Sequence, residues 1–338
     1  MDDIHLLVPD LFWPAAAGSE PCRELRLPAL ETLFARGRTA KTEGTGLERW
    51  LAAAYALPPE LPLAPFSLGG DGGDPANDAW MQADPVHLKV HGGGLVLADA
   101  SRLSTTGDEA REFIAALNSH FAQDGMTFVA PHPQRWYARL AEEPRVYTTP
   151  TTEVAGRNID AFLPSGEEGA RWHRFFNEAQ MVLHDLPRNA AREAGGALPV
   201  NSVWFWGAGR AWPLTSPYEA VWASHPLAAG LAAAASSVLR PLPSSAAACL
   251  KEPGEKSALI VAAVLPATAY GDVSGWREAA VALDKAWCAP LVTALQDGTL
   301  QNLTLHGLGS DYGYTATLTR QDRLRFWRRK RPLSDYAA

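Results

Sequence analysis

The side chains best suited to chemistry gather between residues 168 and 209, EGARWHRFFNEAQMVLHDLPRNAAREAGGALPVNSVWFWGAG. His184, Asn189 and Arg192 fall there in quick succession, just before Trp204 and Trp206. Guanidinium donors match carboxylate and phosphate oxygens two at a time, so arginines at such spacing suit an anionic ligand. Arg135 in QRWYARL, Arg157 and Asp160 in VAGRNIDAF, and Asp84 and His87 in ADPVHL extend the set. Each of them taken singly also suits a salt bridge or a capping group. Asp10 closes the apolar run IHLLV, and a carboxylate at the end of a parallel strand either binds metal or substrate or simply makes the turn. Thr45 stands just before a helix, where its hydroxyl can be a nucleophile, a hydrogen-bond donor to a phosphate or an ordinary N-cap.

The elements that must position these residues follow from periodicity. Trp172, Phe175, Phe176, Ala179, Val182 and Leu183 recur at helical spacing, and Pro187 ends that helix near His184 or Asp185. A short basic element with Arg188, Asn189 and Arg192 follows, then Gly195 and Gly196, then the buried strand VNSVWFWG. Ile4 to Val8 reads as a first buried strand, and Pro28 to Arg36 and Gly46 to Ala56 as helices joined by TAKTEGTG. Residues 57 to 79 are rich in Pro, Gly and Asp and read as a crossing between domains or a loop over a site. HLKVHGGGLVLAD reads as a hairpin, Asp108 to Phe121 as an amphipathic helix and MTFVAPHPQRWYARL as further strand. Beyond residue 224 come an alanine-rich helix to about 239, the apolar strand SALIVAAVLP, a helix over Gly275 to Leu295, the strand LQNLTLHGLG and an edge hairpin. The pattern is α/β, with an α+β domain at 80–190 inserted into a core made of 1–79 and 191–338.

Composition excludes several classes. The chain has 338 residues, 47% of them hydrophobic and 20% charged, which describes a globular protein large enough for two domains. A formal charge of -7 gives no general reason to expect nucleic acid. Cys22, Cys249 and Cys288 are too few and too far apart for a disulfide framework or a CxxC site. The opening MDDIHLLVPDLFWP is acidic, and its apolar run is too short for a signal peptide or a membrane span, so a cytoplasmic protein without a membrane partner is expected. Five basic residues between Arg325 and Arg331 make either a solvated surface or a contact for an anionic partner.

HDLPRNAAREAGGALPVNSVWFWGAG resembles the stretch of archaeal-type cofactor-independent phosphoglycerate mutases that runs from His-Pro-Val-Asn through two spaced arginines to Trp-Leu-Trp-Gly. VHLKVHGGGLVLADASRLSTTGDEAREFIAALN resembles the inserted domain of that family, and IHLLVPD its opening strand. The likeness is strong from 84 to 209 and weaker outside, and it extends to bacterial proteins named after phosphoglycerate mutase or a pathogenicity-factor regulator.

The resemblance implies an alkaline-phosphatase-like core with a mainly parallel sheet flanked by helices, plus an inserted α+β domain. It further implies paired divalent metals that activate a Ser or Thr for phosphoryl transfer. Asp10 matches the first metal ligand, and Thr45 falls near the nucleophile. Elsewhere the chain departs from the pattern: Ala267 to Gly271 stand where an Asp and a His are expected, with Asp272 next, and LTLHGLGSD offers His306 and Asp311 without the family's Asp-His pair. The leading expectation is therefore a scaffold without the metal centre and without a bound cofactor. It would hold a small phosphorylated or carboxylated metabolite, or a protein partner, through Arg135, Arg157, Asp160, His184, Asn189 and Arg192, with Trp204 and Trp206 as walls. The alternative is an active phosphomutase or phosphatase using Mn, Mg or Zn on Asp10, Asp272, His306 and Asp311, with Thr45 as nucleophile.

Overall fold

The computed structural model describes residues 2–252, 257–261, 268–325 and 327–337. Its strands are β1 (Asp3–Val8), β2 (Arg38–Thr45), β3 (Ala79–His91), β4 (Gly94–Ala98), β5 (Met126–His132), β6 (Arg135–Leu140) and β7 (Ser202–Gly209). They continue with β8 (Ala220–Trp222), β9 (Val238–Arg240), β10 (Ser257–Val261), β11 (Asn302–Gly307) and β12 (Gly309–Thr319). The chain divides into two units, Met1–Tyr55 with Thr215–Ala338, and Ala56–Leu214. These boundaries lie outside the expected ones at 79/80 and 190/191. Strand pairing explains the shift, because β7 completes the sheet of the second unit by pairing with β3.

The first unit is an α/β layer around one sheet in the order β2-β12-β11-β1-β10-β8-β9. β11, β1, β10, β8 and β9 run parallel, and β12 and β2 add an antiparallel flank. Alternation sorts the side chains of β1 and β11: Ile4, Leu6, Val8, Leu303 and Leu305 enter one core with Leu33, Trp276 and Leu291. Those last three come from the helices Pro28–Arg36, Val273–Leu283 and Ala289–Asp297, the second and third being one expected helix interrupted by a π turn at Asp284–Cys288. The expected strand SALIVAAVLP is central where described, and its residues 262–266 and Ala267 lie outside the described set. TAKTEGTG is not a connector but strand β2, and β2 rather than the terminal hairpin forms the sheet edge.

The second unit is a five-stranded antiparallel sheet in the order β4-β3-β6-β5, with β7 on the other side of β3. One face is roofed by the helices Gly107–Phe121 and Gly169–His184 through aromatic contacts, Phe113 on Trp136, Phe121 on Phe128 and Trp172 on Phe205, with centroids 5.2 to 5.9 Å apart. A capping box between Thr106 and Glu109 fixes the start of the first of these helices. The stretch expected as a loop at 57 to 79 contains the helix Ala64–Gly70, whose Ala64 and Leu68 pack with Trp80 and Tyr137.

Gly44 controls how β2 meets the sheet. β12 bulges between Gly309 and Tyr312, and a Cβ on Gly44 would collide with the Ser310 carbonyl. Gly44→Ala is expected to destabilise the chain by about 1–3 kcal/mol, read as a lower urea midpoint at unchanged slope.

Candidate functional site

In the first unit the expected metal ligands fall around the carboxyl end of the parallel strands, but each serves a different partner. Asp10 follows β1 in the left-handed region, with φ 53°, and its carbonyl accepts from Trp276 Nε1 at 2.9 Å. Burial raises its carboxyl to about 6, against a hydrogen bond with Thr268. Asp272 caps the helix Val273–Leu283 by accepting from the Gly275 amide at 2.8 Å. Asp311 lies in the β12 bulge and accepts from the Ala15 amide at 2.7 Å. Thr45 ends β2 opposite Gly309, and its hydroxyl approaches the Gly46 carbonyl at 3.4 Å. Gly46, not Thr45, is the N-cap of the following helix, which spans Leu47–Ala54.

A pair of Mn, Mg or Zn ions needs several carboxylates or imidazoles around one point. Among the described residues no three His, Cys, Asp or Glu side chains are arranged to hold an ion. Among the described residues, the donors do not converge in the way a two-metal centre requires.

His306 has a different neighbour, one that the sequence reading missed. It pairs in register with Leu7, on the sheet face opposite the main core, and its Nε2 lies 2.9 Å from His5 Nδ1. The two rings stack with centroids 5.2 Å apart, and Trp50 covers His306 at 4.8 Å. Asp3 stands 3.5 Å from His5 Nε2 and favours the proton there, which leaves Nδ1 to accept from His306. Burial and the adjacent His5 lower His306 to about 4, so at neutral pH the pair is uncharged on that ring. A period of two through IHLLV was the available signal, since it sets His5 and Leu7 apart from the core residues.

In the second unit Arg135 and Trp206 join one polar network on the sheet face away from the two roofing helices. Asp71 grips Arg135 through Nε at 2.8 Å and Nη2 at 2.6 Å and also accepts from the Tyr137 hydroxyl at 2.6 Å. Asp84 is buried and accepts from Thr151 Oγ1 at 2.5 Å and Trp206 Nε1 at 2.7 Å. Desolvation dominates its raised value of about 6, opposed by those two hydrogen bonds. The Tyr137 hydroxyl is held well above its ordinary range, first by burial and then by Asp71.

The remaining expected ligand residues separate. Arg192 is buried and bonded to Glu109 at 2.8 Å, to the Leu198 carbonyl at 2.8 Å and to the Leu103 carbonyl. Asn189 donates to the Leu183 and Val200 carbonyls and accepts from the Val200 amide. Both are occupied in satisfying the backbone around the 195–201 loop, which would otherwise bury bare carbonyls. Trp204 donates to the Thr149 carbonyl at 2.8 Å, and His87 lies 3.0 Å from the Pro199 carbonyl. Arg157 is exposed and lies over the Phe162 ring at 4.5 Å, and Asp160 is exposed at the start of the short 3-10 turn Asp160–Phe162. His184 is the exposed last residue of its helix.

The buried Asp84 gives a pH signature. Between 3.8 and about 6 the folded chain keeps this proton while the unfolded chain releases it, so the contribution of Asp84 to stability falls as pH rises through that window. His306 acts in the opposite sense, since between 6.5 and about 4 the unfolded chain takes the proton first. Asp84→Asn can still accept both hydrogen bonds. It is expected to raise stability by about 2 kcal/mol at pH 8, with the gain fading toward pH 4 in urea titrations. A gain that does not vary with pH would contradict the raised Asp84 carboxyl.

No family model matches the chain. A probable 2,3-bisphosphoglycerate-independent phosphoglycerate mutase of Geobacter sulfurreducens is 28% identical over 224 residues, 60% of this chain and 53% of that protein. The 2,3-bisphosphoglycerate-independent phosphoglycerate mutase of Methanosarcina mazei is 27% identical over 205 residues, 55% of this chain and 49% of that protein. This chain thus spans about half the length of the curated relatives it matches. In fold, the PH0037 protein of Pyrococcus horikoshii is similar with a TM-score of 0.59 at 12% identity, covering 94% of this chain and 87% of that one. Over the shared span, the chain is similar to 2,3-bisphosphoglycerate-independent phosphoglycerate mutases.

Proposed function

We propose that this chain is a phosphoglycerate-mutase-like protein that has lost the two-metal centre and works in the cytoplasm as a regulatory binding protein. The observation that carries this reading is the scatter of donors: Asp10, Asp272, His306 and Asp311 each have a separate partner, and no three such groups converge among the described residues. Its ligand is a small phosphorylated or carboxylated metabolite, and the same anion-binding surface could serve an acidic partner. Arg135 is the anchor. Asp71 holds two of its nitrogens, and a third of its side chain remains exposed to an incoming anion. The buried Arg192 and Asn189 frame this unit instead of touching the ligand.

An active mutase or phosphatase using Mn, Mg or Zn is the second reading. It is favoured by the curated relatives, which are named as mutases, and by Thr45 ending β2 and Asp10 following β1 in the same sheet. Calorimetry with 2-phosphoglycerate and 3-phosphoglycerate in EDTA separates the two. The binding reading expects metal-independent affinity that Arg135→Lys weakens about tenfold, because a lysine keeps the charge but loses the fork held by Asp71. Binding or turnover that requires added metal, with turnover abolished by Thr45→Ala, would establish the enzyme instead.

A further inference from the structure

The basic segment Arg325–Arg331 is no loose tail. Arg325 Nη1 donates to the Arg36 carbonyl at 3.3 Å, Arg328 Nη1 to the Gly37 carbonyl at 3.2 Å and Lys330 Nζ to the Pro28 carbonyl at 3.4 Å. Its basic side chains thus reach backbone carbonyls at both ends of the helix Pro28–Arg36. Both flanks are fixed. Upstream, Thr319 and Asp322 form a capping box; downstream, Leu333 is buried and Tyr336 packs on Phe34 with centroids 4.8 Å apart.

Arg328, Arg329, Lys330 and Arg331 are exposed, and Trp327 stands among them at 67% exposure. The facing acidic groups do not cancel this charge. Asp322 is already paired with Arg325, and Asp284 is buried and accepts from the Ala29 and Leu30 amides, which leaves Glu31 and Asp335. A strongly basic strip thus sits on a chain whose formal charge is -7.

Solvation alone accounts for the arginines, whereas the two-thirds exposed indole beside them leaves apolar surface whose burial is favourable. We propose that this strip docks the protein on an anionic lipid surface. Exposed Arg and Lys side chains meet the acidic headgroups, and Trp327 inserts at the level where amphipathic rings partition. No spanning helix is needed for such peripheral attachment. Single-stranded nucleic acid is the poorer match, because it calls for several stacking rings along a groove. Trp327 is the one large aromatic side chain in the exposed class among the described residues of this unit.

The test is co-sedimentation of the full chain with phosphatidylcholine vesicles, with and without about one third phosphatidylserine. Sedimentation with the acidic vesicles only, reversed by salt, is expected. Arg329→Glu with Arg331→Glu should weaken it about tenfold, Trp327→Ala several-fold, and Arg329→Lys with Arg331→Lys should retain it. The charge-retaining pair distinguishes lost attraction from lost folding. Equal sedimentation of the charge-reversed protein, no sedimentation of the wild type, or tighter binding to a single-stranded oligonucleotide than to the vesicles would overturn the proposal.

Discussion

The parallel pairing of β1 between β10 and β11 is the constraint on which the first unit rests. A strand in that position is covered on both faces, so every side chain it carries must be either apolar or paired. Ile4, Leu6 and Val8 answer by entering the main core. His5 answers by meeting His306, and Asp3 then orients His5 from the strand's first residue. The same pairing delivers Asp10 to the carboxyl end of the sheet, where it makes a left-handed turn and bonds with Thr268.

The second unit solves a similar problem with a carboxylate. Asp84 points from the central strand β3 into a layer of Trp206, Thr151 and nearby Arg135, and it is kept there by two short hydrogen bonds rather than by a direct counter-ion. Asp71 takes the guanidinium of Arg135 and the Tyr137 hydroxyl in the same layer. Buried polar groups arranged in this way are specific but intolerant of partial loss. They leave Arg135 as the place where the network meets solvent, which is why the binding reading centres on it.

Much of this was legible in the sequence. The helices Pro28–Arg36, Gly107–Phe121 and Gly169–His184 announce themselves through the period of their apolar residues, and β7 through its apolar run. β2 was not legible as a strand, because its side chains are mostly exposed and Thr, Lys and Glu there give no apolar alternation. The helix Ala64–Gly70 hid in a stretch whose Pro and Gly content reads as loop. Unit boundaries depend on the pairing of β7 with β3, a contact between distant segments that no local pattern reveals. At the site, Arg192 and Asn189 carry the chemistry of ligand groups, and only the tertiary structure reveals that backbone carbonyls claim them. Asp71, which fixes Arg135, lay inside a glycine-rich run with nothing to mark it.

The central claim is that the inherited scaffold no longer assembles a two-metal centre. Elemental analysis tests it most directly, on protein purified without added metal and again after dialysis against Mn, Mg and Zn with removal of free ion. The account predicts no tightly retained metal under any of these conditions. Two ions retained per chain would contradict it and restore metal-dependent phosphoryl transfer as the working reading.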